Sequence, residues 1–351
     1  MIKFAVSRLG ILTIALAVCC LVLPIPSAYI ERLYSQQTYL IFQNLITPLS
    51  SSVPFAVFDF LLVAAVMALF CWWLVSLMVS ERSRRWLTVM TMITKTTVMV
   101  SFIYIVFLME WGFNYRRESL TVKLDYEQGR VTSQSLVDLA FKTTRHLNEL
   151  YPRAYQNRWL GFDEIPIHLG PAFQSVQRQL GSKRTAIAGA PKISLLTPYF
   201  RLAGIDGMLS PFSLEILVNE FVLPFERPFV VSHEWAHLAG YAVESEASFV
   251  GWLICLSGDE NSRYSAWIFM LPQLMRYLSA EEKSGVWNLM NDGPIKDLQA
   301  VSDRVNSTDP VIQKNARRIY DRYLKANRVE DGIASYGAVV DLVLGTQFWQ
   351  Q

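Results

Sequence analysis

The sequence predicts an α-helical membrane segment followed by an α+β domain that is mainly helical with a small sheet. Of the 351 residues, 52% are hydrophobic and only 18% are charged, whereas soluble domains usually carry about 25% charged residues. Three long apolar runs fill the first third of the chain, and none of comparable length follows Trp111. We therefore expect a membrane domain over residues 1–111 and an extracytoplasmic domain over residues 112–351.

The composition excludes several other classes of protein. The formal net charge is only +2, and without a basic excess or a recognisable motif we expect no nucleic-acid partner. A chain this apolar and aromatic is also unlike a disordered or collagen-like one. The cysteines are too few and too scattered for a disulfide framework or a cysteine-ligated metal. They are Cys19, Cys20, Cys71 and Cys255.

The apolar runs predict three transmembrane helices, at about residues 9–26, 53–79 and 87–111. Each run approaches or exceeds the roughly 20 residues that a helix needs to cross the hydrocarbon core. The first run also fits a cleaved signal peptide, because basic residues precede it and Ser27-Ala28 follows it. The two further spans favour an uncleaved helix, so the lipid bilayer is an expected partner.

Basic residues near the ends of the apolar runs predict the orientation. Lys3 and Arg8 precede the first run, and three arginines lie in the loop 80–86 between the second and third runs. The positive-inside rule places both segments inside and everything after Trp111 outside, although two arginines directly after the third run oppose this. We expect a multi-pass protein of the cell (inner) membrane with an extracytoplasmic C-terminal domain.

The second half of the chain has local signals for helices around a small sheet. Residues 133–151 have the apolar spacing of an amphipathic helix. Residues 193–222 mix β-formers with Gly and Pro, which indicates strands and turns. After Pro228 the pattern is helical, and Asp309-Pro310 is typical of a helix start, because Asp caps the helix and Pro is tolerated in its first turn.

A five-residue motif is typical of a metal site, since residues 233–237 read His-Glu-Trp-Ala-His. Positions i and i+4 share one face of a helix, so His233 and His237 can bind one metal ion through their imidazole nitrogens. Glu234 can then reach a metal-bound water, which the metal makes acidic enough to ionise near neutral pH. Gly240 stands where the helix could end in a left-handed turn. The alternative is that both histidines are core residues and the glutamates form a solvated face.

The residues after this turn supply candidates for a third ligand. A catalytic zinc site usually has three protein ligands and one open position, and residues 244–249 read Glu-Ser-Glu-Ala-Ser-Phe. The pattern resembles the gluzincin branch of zinc metallopeptidases, whose third-ligand helix often reads Glu-x-x-small-Asp. The resemblance implies Glu244 as the ligand, with Glu246 as the alternative. Ser248 stands where the family pattern has an acid that orients a ligand.

Short stretches spread over most of the chain also match one known family. They are Pro54-Phe55, Asp59, Trp111–Arg116, Gly207, Ser210–Phe212, Val218-Asn219, Leu223–Phe225, His233–Phe249, Arg263–Ser265, Tyr323–Asn327, Gly332 and Ser335–Gly337. Through these stretches the chain resembles a bacterial membrane family catalogued as domain-of-unknown-function family 3810. The resemblance implies a membrane-anchored, zincin-like domain and indicates no particular substrate.

Two further features fit a zincin site. Residues 207–220 could supply the edge strand along which zincins bind an extended substrate; the alternative is an ordinary strand with a turn at Ser210-Pro211. A tetrahedral intermediate also needs a donor for its oxyanion, and no histidine follows His237, so a downstream donor must be Tyr or Arg. The candidates are Arg263, Tyr264 and Tyr336, residue types that more often serve packing or hydrogen bonding.

Together these features predict a membrane-anchored, zinc-dependent metallopeptidase that hydrolyses a peptide or protein substrate. One Zn²⁺ would be bound by His233, His237 and Glu244, and Glu234 would act as general base on the zinc-activated water. The alternative is a non-proteolytic, zinc-binding membrane scaffold or binding protein that retains the zincin fold. Glu234 favours the enzyme, because a binding module needs the histidines but gives no reason for an acid beside the first one.

Overall fold

Helices make up most of the chain, and the expected mainly helical architecture with a small sheet is confirmed. The computed structural model describes residues 7–332, 337–346 and 348–349. The helices of the first third are α1 (Arg8–Val22), α2 (Ser27–Tyr29), α3 (Tyr39–Ser51), α4 (Val57–Val79) and α5 (Arg85–Glu110). They are followed by α6 (Leu120–Lys123), α7 (Ser133–Gln156), α8 (Ile165–Gln179), α9 (Thr197–Ala203), α10 (Arg227–Leu238), α11 (Glu244–Leu256), α12 (Glu260–Met275), α13 (Ala280–Leu289), α14 (Asp292–Asn306), α15 (Pro310–Ala326) and α16 (Val339–Gly345).

Two helical segments of the described chain are long and apolar enough to cross a membrane. They cover Val57–Val79 and Arg82–Glu110 and correspond to the second and third predicted spans. The first is shorter than predicted: α1 has 15 residues and ends before Pro24, because a residue that precedes proline is driven out of the helical conformation. A bend of 111° separates α1 from Ser27–Ser51, and the two form a third candidate span only if the bent pair counts as one. These helices are compatible with a membrane protein, and the orientation stays a prediction.

Each of the three apolar helices α1, α4 and α5 has one end that is hydrogen-bonded to another part of the chain. At the C-terminal end of α1, Arg328 donates hydrogen bonds of 2.8 and 3.1 Å to main-chain carbonyls. At the N-terminal end of α4, the carboxylate of Glu215 accepts two main-chain N–H groups. In the last turn of α5, Tyr34 donates to a carbonyl at 3.0 Å. These contacts lie at the C-terminal ends of α1 and α5 and at the N-terminal end of α4.

The sheet contains β1 (Pro191–Ile193), β2 (Gly207–Ser210) and β3 (Glu215–Val218) in the order β1-β3-β2. The central strand β3 is buried along its whole length; β1 pairs with it in parallel and β2 antiparallel. Strands β2 and β3 form a hairpin. The chain therefore turns after Ser210, which agrees with the prediction of an ordinary strand followed by a turn at Ser210-Pro211. Strand β2 is also an edge strand within the described part of the sheet, as the other alternative requires.

A buried ion pair fixes α4 to this sheet. Lys192 of β1 donates to Glu215 of β3 at 2.8 Å, and both side chains are almost fully buried. The Glu215 carboxylate also accepts the N–H groups of Val57 and Phe58, at 3.2 and 2.6 Å, which are among the first donors of a helix and have no partner within it. Asp59, in the same turn, accepts two hydrogen bonds from the segment after β1.

We expect the Glu215→Gln variant to lose about 3–5 kcal/mol of unfolding free energy, because it leaves the Lys192 ammonium buried without a counter-charge. Glu127→Gln is the matched control, since Glu127 pairs with Arg130 at an exposed position, where a pair contributes about 0–1 kcal/mol. Chemical unfolding of the detergent-solubilised protein measures both values. Equal stability of the two variants would contradict this role of Glu215.

Candidate metal centre

The motif residues lie on α10 and α11, which are almost entirely buried. Two glycines set the geometry of this helix pair. A Cβ at Gly251 of α11 would lie 2.9 Å from the main-chain nitrogen of His233, so only glycine allows the two helices to approach this closely. Gly240 adopts a φ of +82° and ends the turn after α10, as the sequence predicts. The close approach and the turn place Glu244 opposite the two motif histidines.

The side chains of His233, His237 and Glu244 converge. Glu244 Oε2 lies 3.2 Å from His233 Nε2 and 3.6 Å from His237 Nε2, and one ligand atom from each residue lies within 4.8 Å of the others. Neither contact has hydrogen-bond geometry, so Oε2 is buried without a hydrogen-bond partner among the described residues. Two imidazoles and a carboxylate are also the ligand set of one class of catalytic zinc sites. The group could therefore hold a metal ion.

Hydrogen bonds on the far side of each imidazole turn Nε2 towards Glu244. His237 Nδ1 lies 2.7 Å from the carbonyl oxygen of Tyr241, and because a carbonyl only accepts, Nδ1 is the donor and Nε2 is the nitrogen left to bind a cation. His233 Nδ1 lies 3.3 Å from the hydroxyl of Ser248. Ser248 therefore contacts the ligand that an acid at this position would orient.

The electrostatics of the group favour a positive charge between the ligands. Burial alone would raise the pKa of Glu244, but the imidazoles of His237 and His233 outweigh it and hold the pKa well below its usual range. Burial alone would lower the pKa of His237, but the Glu244 carboxylate outweighs it and raises the pKa to about 9. The carboxylate thus stabilises a cation at this point, whether a proton or a metal ion.

Tyr320 of α15 holds the other oxygen of the Glu244 carboxylate. Its hydroxyl donates to Glu244 Oε1, which leaves Oε2 facing the histidines. Sequence reasoning did not identify Tyr320, because the two residues are 76 positions apart and no local spacing connects them. The only sequence feature that points to Tyr320 is its pairing with Tyr323 on α15. Two aromatic residues on one helix more often pack in the hydrophobic core than contact a site.

Glu234 is buried against the edge strand β2 and near the imidazoles of His233 and His237. A Cβ at Gly207 of β2 would lie 2.6 Å from Glu234 Oε1, so the absence of a side chain at Gly207 makes room for the carboxylate. Glu234 Oε2 is buried and accepts no hydrogen bond from the described residues. Burial raises the pKa of Glu234 to about 6, although the neighbouring imidazoles lower it.

The remaining sequence candidates lie elsewhere or outside the described residues. Glu246 accepts a hydrogen bond from the main-chain nitrogen of Leu120 at 2.6 Å and does not belong to the converging group, which contains Glu244. Tyr264 donates to Asp297 at 2.6 Å, and Arg263 is exposed on α12. Tyr336 lies outside the described residues. The structure therefore brings Tyr320, and none of the described candidates, into contact with a ligand.

Three side chains from the first third of the chain hold the C-terminal end of α10. The Trp111 indole donates to the His237 carbonyl at 3.0 Å, and the Tyr39 hydroxyl donates to the Leu238 carbonyl at 2.7 Å. Arg117 donates to the carbonyl of Ala239 at 3.3 Å. The last carbonyls of a helix have no partner within it, so these donors fix the end of the helix that carries His237.

The fold and the site define a mostly helical chain with a small mixed sheet and a buried His–His–Glu group that could hold a metal ion. A family model described as "Protein of unknown function (DUF3810)" matches residues 34–344. The chain belongs to this family, which confirms the resemblance to the unknown-function family seen in the sequence. The resemblance to gluzincins stays a prediction. No curated protein and no solved structure matches the chain.

We expect the purified full-length protein to contain about one metal ion per chain and the His237→Ala variant to lose it, because two ligands hold an ion far less tightly than three. His168→Ala, which removes an exposed histidine, is the control. Glu244→Gln should also lose the ion, and Glu246→Gln should retain it. Inductively coupled plasma mass spectrometry measures the content. Full retention in His237→Ala would exclude this site.

We expect Tyr320→Phe to weaken metal binding by about 10–100-fold, because residues that orient ligands contribute on this scale. The hydroxyl holds Glu244 Oε1, and without it the carboxylate can rotate away from the histidines. Tyr277→Phe, which removes the hydroxyl of an exposed tyrosine, is the control. Competition with a chelating dye measures the affinity. An unchanged affinity in Tyr320→Phe would show that the hydroxyl does not position the ligand.

Proposed function

We propose that this protein is a membrane-anchored, zinc-dependent metallopeptidase that hydrolyses a peptide or protein substrate. The single observation that carries the proposal is the Glu234 carboxylate. It is buried beside the His233–His237–Glu244 group, and its Oε2 has no hydrogen-bond partner among the described residues. A buried carboxylate without a hydrogen-bond partner lowers the stability of the fold. Catalytic sites are where proteins most often retain such destabilising groups. His233, His237 and Glu244 would hold the Zn²⁺.

The roles of the residues follow from their positions. When bound, the ion supplies Lewis acidity, which polarises a carbonyl and lowers the pKa of water. Glu234, with its pKa raised to about 6, is matched to accept a proton from the attacking water and to pass it to the leaving amine near neutral pH. Tyr241 and Ser248 orient the imidazoles, and Tyr320 orients Glu244.

The edge strand β2 supports a peptide as the substrate. An extended peptide can add to an exposed sheet edge through main-chain hydrogen bonds, and β2 lies directly against Glu234 at Gly207. The turn that follows β2 places Phe212 against Phe107 in the last turn of α5, with ring centroids 6.5 Å apart. A peptide along β2 would therefore have one end at the end of a candidate membrane span, which favours a membrane-anchored enzyme.

We expect Glu234→Gln to fold and bind metal normally but to lose about 10²–10⁴-fold in turnover, because it removes the proton acceptor and leaves the ligands in place. Glu149→Gln, at an exposed position of α7, is the matched control. The assay is hydrolysis of a peptide library by the solubilised full-length protein, with and without a chelator, followed by restoration with Zn²⁺.

Two outcomes of this assay would reject the proposal. Cleavage that survives both Glu234→Gln and thorough chelation would show that another site is the catalyst. A wild-type protein that binds zinc and cleaves no peptide of the library would favour the non-proteolytic scaffold. Comparison of the peptides released by cells that carry wild type or Glu234→Gln extends the same test to natural substrates.

A further inference from the structure

Helix α3 buries polar residues and exposes apolar ones, which is the reverse of an amphipathic helix in a soluble protein. Its buried face carries Gln43 and Thr47, which are fully buried. Its outward face carries Ile41, Leu45 and Leu49, which are 47%, 61% and 71% exposed. The three leave one side of α3 as an apolar row, since residues four apart share a helix face. In a soluble protein such a row faces the core.

The polar face cannot rotate outwards, because it is bonded to the domain. Gln43 Nε2 donates to the carbonyl of Ile187 at 2.8 Å, and Gln43 Oε1 accepts the N–H of Ile187 at 2.9 Å. Thr47 donates to the carbonyl of Leu214 at 2.7 Å. Tyr39, in the first turn, donates to Leu238 at the end of α10. The outward direction of the apolar row is therefore a fixed property of the fold.

Both ends of α3 are tied to apolar helices. The chain reaches it from α1 through a 111° bend, and α4 begins at Val57, shortly after α3 ends at Ser51. If α1 enters the bilayer near its normal, as tilts of about 20° allow, a 111° bend leaves α3 close to the membrane plane. The apolar row then lies beside lipid along its whole length.

Two exposed basic residues indicate whether α3 lies at the membrane surface or in the hydrocarbon interior. Lys183 and Arg184 are exposed in the segment that precedes Ile187, the residue bonded to Gln43. If α3 crossed the hydrocarbon, its polar face would carry this segment and both cations into lipid, which is costly. At the surface the same cations would lie at the level of lipid phosphates, which attract them.

We propose that α3 is an interfacial helix whose row Ile41–Leu45–Leu49 is immersed in the lipid surface, and that it is not the second half of a membrane span. The occupant of the row is the bilayer, with an apolar helix face entering about 5–10 Å into the boundary between headgroups and acyl chains. The inference rests on the membrane anchoring in the proposed function but not on peptidase activity. Through Tyr39 and Leu238, the lipid-bound helix contacts the helix that carries the metal ligands.

The test uses the full-length protein in vesicles of phosphatidylcholine and phosphatidylglycerol. Cys19, Cys20 and Cys71 are replaced by Ala and the buried Cys255 is retained. A thiol-reactive fluorophore is placed at Ile41→Cys, Leu45→Cys or Leu49→Cys. Trp287→Cys is the matched control, because Trp287 is an exposed apolar residue on α13, which packs against α7. Nitroxide lipids with a shallow or a deep label serve as quenchers, and iodide reports contact with water.

We expect the shallow nitroxide to quench the three α3 probes strongly and the deep nitroxide to quench them less, with iodide quenching only the probe at position 287. Stronger quenching by the deep nitroxide would mean that α3 spans the bilayer. Quenching of the α3 probes by iodide, or by none of the quenchers, would mean that water or another protein covers the row. Either result overturns the proposal. Flotation of the vesicles tests the anchoring separately, and neither measurement depends on catalysis.

Discussion

The hydrogen bonds at the C-terminal end of α10 are the constraint on which the site depends. Its last carbonyls accept from Trp111, Tyr39 and Arg117, three donors that precede α10 by more than a hundred residues. A buried carbonyl without a partner costs about 1–3 kcal/mol. The His237 carbonyl also accepts from the N–H of Gly240 at 2.9 Å, so the distant donors matter most at Leu238 and Ala239. The first third of the chain therefore stabilises the end of the helix that carries His237.

Arg117 extends this constraint to the turn that orients His237. Its guanidinium pairs with the Glu31 carboxylate at 2.8 Å and lies 4.5 Å from the centre of the Tyr241 ring. The main-chain oxygen of Tyr241 in turn faces His237 Nδ1. A buried pair of this kind is destabilising when one partner is removed, so Glu31 fixes the turn through Arg117. The orientation of His237 thus depends on Glu31, which lies in the π-helical segment Ile30–Thr38 before α3.

Local patterns predicted what depends on local interactions. The His-Glu-Trp-Ala-His spacing and Gly240 placed both histidines and the turn, and Asp309 caps α15 as its position before Pro310 indicated. The outward row of α3 and the contact of Tyr320 were not predicted, because each depends on residues distant in the chain. The end of α1 before Pro24 follows from a local signal that the predicted span 9–26 did not take into account. In the sequence, Gln43 and Thr47 look like isolated polar residues of an apolar helix. Only their hydrogen bonds to Ile187 and Leu214 show that they form its buried face.

Three glutamates lie close together on α10 and α11, and their carboxylates have different contacts. Glu246 accepts from the main chain of Leu120, and Glu244 faces two imidazoles and Tyr320. Glu234 has one oxygen against Gly207 and the other without a hydrogen-bond partner in the described chain. Glu244 Oε2 also lacks a hydrogen-bond partner among the described residues, but it lies 3.2 Å from His233 Nε2. No comparable ion-pair contact involves Glu234 in the described chain. A carboxylate left unsatisfied in the same small region, beside an edge strand and a group able to hold a metal, favours a reacting group over a structural one.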